Sequence, residues 1–182
     1  MITNEQTTIA LQHVRELISA LEGEDGQGYS DIIHGIDLPV STFEQFCSWS
    51  NESYTRNCIS CCDKFELILL CWEEGQFTPI HDHGGEECWV RVIQGEFKET
   101  IYQLDEAGEL NPVRTAITKV GDISYMKDFM GCHRLENTHS GKSISLHLYA
   151  KPILNCQLFD EEAMKFVDTV LEYDTVSKLV VN

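Results

Sequence analysis

The sequence has few basic residues, with 13 lysines and arginines against 30 aspartates and glutamates, which gives a formal net charge of −17. A surface of that sign repels both nucleic-acid phosphates and anionic lipid headgroups. We therefore predict neither a nucleic-acid partner nor a membrane partner. The hydrophobic content of 42% is ordinary for a globular protein, which argues against disorder.

Long apolar runs are also missing. No segment reaches the roughly 18 consecutive apolar residues of a transmembrane helix, and the N-terminus lacks the charged-then-apolar pattern of a secretory signal. We therefore expect a cytoplasmic protein, and we take it to be a monomer. The length of 182 residues suits one domain with one core, so we predict a single domain over residues 1–182.

The chain contains eight cysteines, at positions 47, 58, 61, 62, 71, 88, 132 and 156. In the absence of a secretory signal we expect reduced thiols rather than disulfides. Cys58, Cys61 and Cys62 form a C-x-x-C-C cluster that suggests zinc, but no second pair of ligands with zinc-finger spacing accompanies it. We interpret the cluster as a thiol-rich loop.

The first 50 residues have helical patterns. Apolar residues recur with a period near 3.6 over residues 6–22, and Gly23 can end that helix. A second short helix is expected over residues 30–34. A third is expected from Ser41, because Ser41-Thr42-Phe43-Glu44 matches a capping box.

From residue 53 onward, short apolar runs alternate with turn residues. Seven runs have strand length: residues 65–72, 88–93, 97–104, 113–118, 122–125, 132–136 and 143–149. Many short strands separated by turns predict an all-β barrel or sandwich, here over residues 53–182. Residues 159–181 fit either a strand pair or a helix, and we favour strands.

The sequence His81-Asp82-His83 is the first candidate for function. In an extended segment alternate side chains share a face, so the two histidines lie together while Asp82 points away. Two imidazoles on one face form half of a metal site, and imidazole suits iron, zinc, copper and nickel alike. His133, which follows the loop containing Gly131, is the candidate for a third ligand.

A second polar constellation lies in the run of residues 143–149. Alternation places Ser145, His147 and Tyr149 on one face and two leucines on the other. Three polar groups that face inward together are costly to bury unless they join a hydrogen-bonded network. Beside a metal site, we interpret them as a functional network.

The spacing around the histidine pair resembles the first motif of the cupin superfamily. That motif reads Gly, five residues, His-x-His, three or four residues, Glu, six residues, Gly, and this chain fits it from Gly75 to Gly95. Six residues separate Cys88 from Gly95, and at this position many cupins carry a carboxylate ligand. A second, degenerate motif contains His133. The resemblance implies a cupin-type β-barrel, or jelly roll, with short N-terminal helices.

A cupin with cysteine in place of that carboxylate resembles the cysteine dioxygenases. Residues 53–57, 70–72, 133–137 and 145–149 carry this resemblance, which runs from about residue 54 to residue 156. It implies oxidation of L-cysteine by O2 to cysteine sulfinate, with iron(II) held by His81, His83 and His133. Three neutral imidazoles leave the full charge of the metal to be balanced, which favours an anionic thiolate.

The resemblance also assigns roles around the metal. Arg56 would bind the substrate carboxylate through its planar fork of donors, with Tyr54 beside it. Cys88 and Tyr149 match a pair that becomes joined by a thioether bond. Ser145 and His147 match the residues that orient this tyrosine, and Cys156 matches a cysteine near the mouth of the pocket.

Four alternatives stay open at this point. Glu87 satisfies the three-residue spacing after His83 and is a second candidate for a metal ligand, although Cys88 keeps the six-residue spacing to Gly95. The substrate is alternatively 3-mercaptopropionate, although the dioxygenases of that thiol usually have glutamine in place of Arg56. A non-catalytic thiol sensor and a zinc hydrolase or isomerase are the remaining alternatives, since three histidines also bind zinc.

Overall fold

The computed structural model describes residues 4–24 and 28–179. Two α-helices open the chain, α1 over Asn4–Gly23 and α2 over Gly28–Gly35. Both match the expected positions, although α1 is 20 residues long and begins before residue 6. No helix in the described ranges is long and apolar enough to cross a membrane.

The third predicted helix is wrong. Two single turns of 3₁₀ helix, Val40–Thr42 and Glu44–Phe46, take its place, and the first is preceded by Pro39 without a side-chain cap. The turns are closed by hydrogen bonds to the third preceding residue. Phe43 and Phe46, three residues apart, both reach the core, which suits the three-residue period of a 3₁₀ helix better than an α-helix.

Strands fill most of the remaining described chain. In order, β1 to β11 span Thr55–Cys61, Glu66–Trp72, Cys88–Gln94, Glu96–Leu104, Leu110–Lys119, Ile123–Met126, Cys132–Asn137, Ser143–Tyr149, Asn155–Asp160, Lys165–Val170 and Thr175–Val176. All seven expected strands are present within a few residues of their predicted ends. The preference for strands over residues 159–181 is confirmed by β10 and β11, although residues 180–181 lie outside the described ranges.

The sequence-based interpretation of the cysteine cluster as a loop is wrong. Cys58 and Cys61 lie in β1, which pairs antiparallel with β2. The sequence pattern did not reveal the buried positions of β1, because cysteine and serine occupy several of them and are small enough to be buried there. All eight cysteines lie in the described ranges and none forms a disulfide, as expected.

Three sheets build the barrel. The largest has the strand order β11-β1-β2-β8-β3-β6, a second has β5-β4-β7, and β9 and β10 form a hairpin sheet. One cluster of apolar side chains joins α1 and α2 to the outer face of the large sheet. A second fills the interior between the sheets, with Trp72, Phe97 and Leu135 at its centre. The architecture is therefore the expected all-β, cupin-type barrel with helices at its N-terminus.

The motif glycines occupy turns that position the site. Gly95 separates β3 from β4 with a φ of +86°, a conformation that side chains disfavour. A Cβ at this position would come within 1.8 Å of Ser143 Oγ. Only glycine therefore fits between these strands.

Candidate metal centre and substrate cavity

The segment that carries His81 runs antiparallel to β7. Thr78 N–H donates to Leu135 O at 2.9 Å, and His81 and His133 exchange two backbone hydrogen bonds of 3.0 and 2.9 Å. Residues paired in this way project their side chains to the same face of the sheet. Backbone pairing thus brings the first and second histidine motifs together.

The three histidines form a compact group. One ring nitrogen from each of His81, His83 and His133 lies within 4.8 Å of the others, and this is the only such group of potential metal ligands among residues 4–24 and 28–179. The ring centroids are 4.7 to 5.4 Å apart. His83 and His133 are buried, and His81 is half-buried. The predicted trio is therefore assembled in the barrel interior.

Hydrogen bonds fix which nitrogens face the centre. His133 Nδ1 lies 2.7 Å from Glu99 Oε1, and His81 Nδ1 lies 3.0 Å from the carbonyl oxygen of Pro79. Both partners are acceptors, so each Nδ1 carries the proton and each Nε2 keeps its lone pair. A carboxylate behind a histidine ligand is a common support of metal sites. This donor set fits a divalent transition metal.

Burial keeps the imidazoles neutral. Desolvation, reinforced by the neighbouring His133, lowers the pKa of His81 to about 3. The same two causes hold the pKa of His83 well below its usual value. Neutral rings bind a cation without first losing a proton, so the pair is ready for a metal at neutral pH.

Glu99 was missed by the sequence analysis. It lies in β4, is 5% exposed, and accepts a hydrogen bond from Ser124 Oγ in addition to the one from His133. Burial alone would raise its pKa, but the contacts with His133 and Ser124 lower it below the usual value. The sequence pattern that could have pointed to Glu99 is its alternation with Phe97 and Ile101, because residues two apart in a strand share a face and this face is buried.

Glu87, the alternative ligand, lies outside the histidine group. Its Oε1 accepts hydrogen bonds from Tyr125 Oη at 2.9 Å and from Lys127 Nζ at 3.0 Å. The next residue, Cys88, is fully buried and is the direct cross-strand neighbour of Tyr149. The metal group therefore contains imidazoles and no carboxylate.

Cys88 and Tyr149 are both buried in the barrel interior. They sit opposite each other on the antiparallel strands β3 and β8, where facing side chains are close together. Desolvation raises the pKa of both groups well above their usual values. Both are therefore protonated at neutral pH.

A hydrogen-bonded chain leads from Trp72 to Tyr149. Trp72 Nε1 donates to Ser145 Oγ at 3.0 Å, Ser145 Oγ lies 2.9 Å from His147 Nε2, and His147 Nδ1 lies 3.5 Å from Tyr149 Oη. Because indole can only donate, the serine hydroxyl is free to donate to Nε2, which leaves the imidazole proton on Nδ1, facing Tyr149. The expected network is present, and Trp72 is an anchor that the sequence analysis did not assign.

An enclosed cavity adjoins the histidines. The residues that line it include Tyr54, Arg56, His81, His83, His147 and Tyr149. The cavity has a volume of only about 20 Å³, so it suits a small ligand. Cys156 also lines this cavity and a wider outer cleft of about 570 Å³ beside it.

Arg56 enters the cavity from β1. Its Nη2 lies 3.6 Å from Glu66 Oε1, and the Tyr54 ring beside it stacks on Trp72 with centroids 4.6 Å apart. Burial by itself lowers the pKa of Arg56, but Tyr149 and Glu66 raise it above its usual value. The cavity thus presents one permanent cation next to the three histidines.

Comparison with known proteins shows the family of this chain. The family model described as cysteine dioxygenase type I matches residues 5–162. Cysteine dioxygenase type 1 of Danio rerio is 34% identical over 122 residues, covering 64% of this chain and 61% of that protein. The human protein of the same name is 31% identical over 134 residues, covering 71% of this chain and 67% of that protein.

The match therefore spans less than two thirds of the length of the Danio rerio protein. Among solved structures, a protein with a double-stranded β-helix domain from Klebsiella pneumoniae superposes with a TM-score of 0.52 at 15% identity, covering 75% of this chain and 91% of that one. This likeness shows the fold alone. The family model matches most of this chain, so the chain belongs to the cysteine dioxygenase type I family.

Proposed function

We propose that this protein is a thiol dioxygenase that oxidises L-cysteine with O2 to cysteine sulfinate at an iron(II) site. The observation that carries the proposal is the group of three imidazoles without a carboxylate, next to a small cavity that contains Arg56 and Tyr149. A dication bound by neutral ligands alone favours an anionic thiolate as its next ligand.

His81, His83 and His133 are the proposed metal ligands, each through Nε2. Ferrous iron bound there would supply a redox-active centre at which thiolate and dioxygen are brought together. Glu99 holds the His133 ring in orientation by accepting its Nδ1 proton at 2.7 Å. Holding both reactants in one small cavity lowers the entropic cost of their encounter.

Arg56 is the proposed partner of the substrate carboxylate. Its guanidinium is buried beside the histidines, and Nε and Nη2 have no hydrogen-bond acceptor in the described part of the chain. A carboxylate matches this fork of donors. Tyr54, stacked on Trp72, supports the wall next to Arg56. A thiol with a carboxylate a few bonds away from sulfur would therefore span the cavity.

Tyr149 is the proposed catalytic hydroxyl. The hydrogen bonds that run from Trp72 through Ser145 and His147 end with an N–H of His147 that donates to Tyr149 Oη. The hydroxyl proton of Tyr149 is therefore free to point into the cavity. It is thereby oriented to donate a hydrogen bond to substrate or oxygen. Ser145 and His147 act by orienting this hydroxyl.

We further propose a thioether bond between Cys88 Sγ and the Tyr149 ring. Forming it removes two protons and two electrons, which O2 would accept, so the linked peptides are lighter by two hydrogen atoms than the two free residues. We expect this loss in peptide mass spectra after turnover with iron and L-cysteine. Cys88→Ser should not show it. Unshifted wild-type peptides would contradict the crosslink.

Glu99→Gln tests the support of the metal site. The amide keeps the size of the side chain but weakens the charge-assisted hydrogen bond from His133. We expect iron affinity to fall by about 10- to 100-fold, the usual range for such partners of metal-binding histidines. Iron titration monitored by competition with a chelator measures it. Glu136→Gln, on the half-buried ion pair with Lys98 and outside the histidine group, is the matched control and should leave affinity unchanged.

The proposed function is tested by O2 consumption of the iron-loaded protein with L-cysteine, with the product identified by mass. We expect cysteine sulfinate carrying both atoms of labelled O2. Faster turnover of 3-mercaptopropionate would reverse the choice of substrate, and cysteine binding without O2 uptake would indicate a sensor. Activity of the zinc-loaded protein in hydrolysis or isomerisation would contradict oxygen chemistry.

The remaining expectations stay predictions. The shared apolar cluster of α1, α2 and the large sheet supports a single domain over residues 1–182. A monomer is tested by sedimentation, and the cytoplasmic location by fractionation. L-cysteine and O2 remain the proposed small-molecule partners, with no nucleic acid and no membrane.

A further inference from the structure

A buried carboxylate lies behind the cavity wall. Glu66, in β2, is 0% exposed and is the direct cross-strand neighbour of Tyr149 in β8. Its Oε2 accepts a 2.9 Å hydrogen bond from Ile153 N–H. Glu66 is not among the residues that line the cavity, so it acts through its neighbours.

The nearest cation to Glu66 is Arg56. Nη2 and Oε1 are 3.6 Å apart, which is within the range of an ion pair but too long for a hydrogen bond. Within the described ranges, Arg56 Nε and Nη2 have no acceptor and Glu66 Oε1 has no donor. The pair therefore neutralises the guanidinium without using these two donors.

We propose that Glu66 is the positioning residue of Arg56, and that it thereby sets the preference of the cavity for thiols that carry a carboxylate. This inference rests on the proposed function, because it takes Arg56 to be the group that binds the substrate carboxylate. A buried guanidinium without a counter-charge would turn to other acceptors, such as the adjacent Tyr149 hydroxyl. Its open donors would then no longer face the ligand.

The test compares two thiols that differ in the carboxylate. L-cysteine and cysteamine are titrated into iron(II)-loaded protein under nitrogen, and calorimetry gives each Kd. Glu66→Gln keeps the side-chain size and an acceptor for Ile153 N–H but removes the charge. We expect Kd for L-cysteine to rise about tenfold, the equivalent of one charge-assisted hydrogen bond, and Kd for cysteamine to change by less than about twofold.

A double-mutant cycle separates positioning from general support of the fold. In an Arg56→Gln background, Glu66→Gln should change Kd for L-cysteine by less than about twofold, because its effect passes through Arg56. If Glu66→Gln does not fold, Glu66→Asp replaces it. That variant keeps the charge but withdraws it by one methylene, and we expect a smaller loss that is again confined to L-cysteine.

Three outcomes overturn the inference. They are equal losses for both thiols, unchanged or tighter L-cysteine binding by folded Glu66→Gln, and a loss that persists in the Arg56→Gln background. Glu136→Gln, on the half-buried ion pair with Lys98 and outside the cavity, is the control and should bind both thiols like the wild type. If the wild type itself does not bind L-cysteine, the proposed function fails together with this inference. That result is distinguishable from the three outcomes above, because each of those is measured against a wild type that binds L-cysteine.

Discussion

Replacing His133 with alanine is expected to abolish iron(II) binding and to reduce L-cysteine-dependent O2 uptake to background. The variant removes one of the three proposed ligands, and the group contains no carboxylate that could replace it. It also leaves Glu99 as a buried carboxylate without its imidazole partner at 2.7 Å, which adds a cost in stability. Metal content after desalting and an oxygen electrode measure the two losses.

His139→Ala is the matched control. It makes the same chemical change six residues away, at an exposed histidine outside the metal group. We expect this variant to keep both iron and activity. Iron bound at wild-type affinity by folded His133→Ala would show that the metal is held elsewhere, and the proposed site would be wrong.

Replacing Tyr149 with phenylalanine is expected to lower kcat for L-cysteine by roughly 100-fold, the scale of a positioned proton donor. The change removes the hydroxyl at the end of the Trp72–Ser145–His147 chain but keeps the ring packed against His83. Iron content should be unaffected, because Tyr149 is outside the group of three ligands. Steady-state O2 uptake, normalised to bound iron, provides the measurement.

Tyr125→Phe is the control for this variant. Its hydroxyl donates to Glu87 at 2.9 Å, outside the cavity, so its loss should leave kcat unchanged. A Tyr149→Phe enzyme with wild-type kcat would remove the tyrosine from the mechanism. The proposed thioether would then have no catalytic role.

Much of this architecture was predictable from sequence because its signals are local. Alternation predicts that Ser145, His147 and Tyr149 share a face, and the structure buries all three there. The spacing from Gly75 to Gly95 points to His81 and His83 as a pair. The pairing of the His81 segment with β7 is a long-range event. The sequence offered His133 as the third ligand from its place after the loop containing Gly131, but it could not show that pairing.

The carboxylates were harder to predict. Glu66 and Glu99 occupy inward-facing strand positions, where an acidic residue contradicts the apolar pattern that identifies a buried face. Their burial is compensated by partners on other strands, Arg56 in β1 for Glu66 and His133 in β7 for Glu99. Such compensation becomes visible only when the strands are assembled.

The strand register has a consequence for folding. Glu66, Tyr149 and Cys88 form one row across β2, β8 and β3. A one-residue slip of β8 would turn all its inward side chains to the opposite face. Molecules with the wrong register would then be inactive rather than altered in substrate selectivity. The turnover recovered after refolding should therefore measure the fraction of molecules in which β8 has its native register.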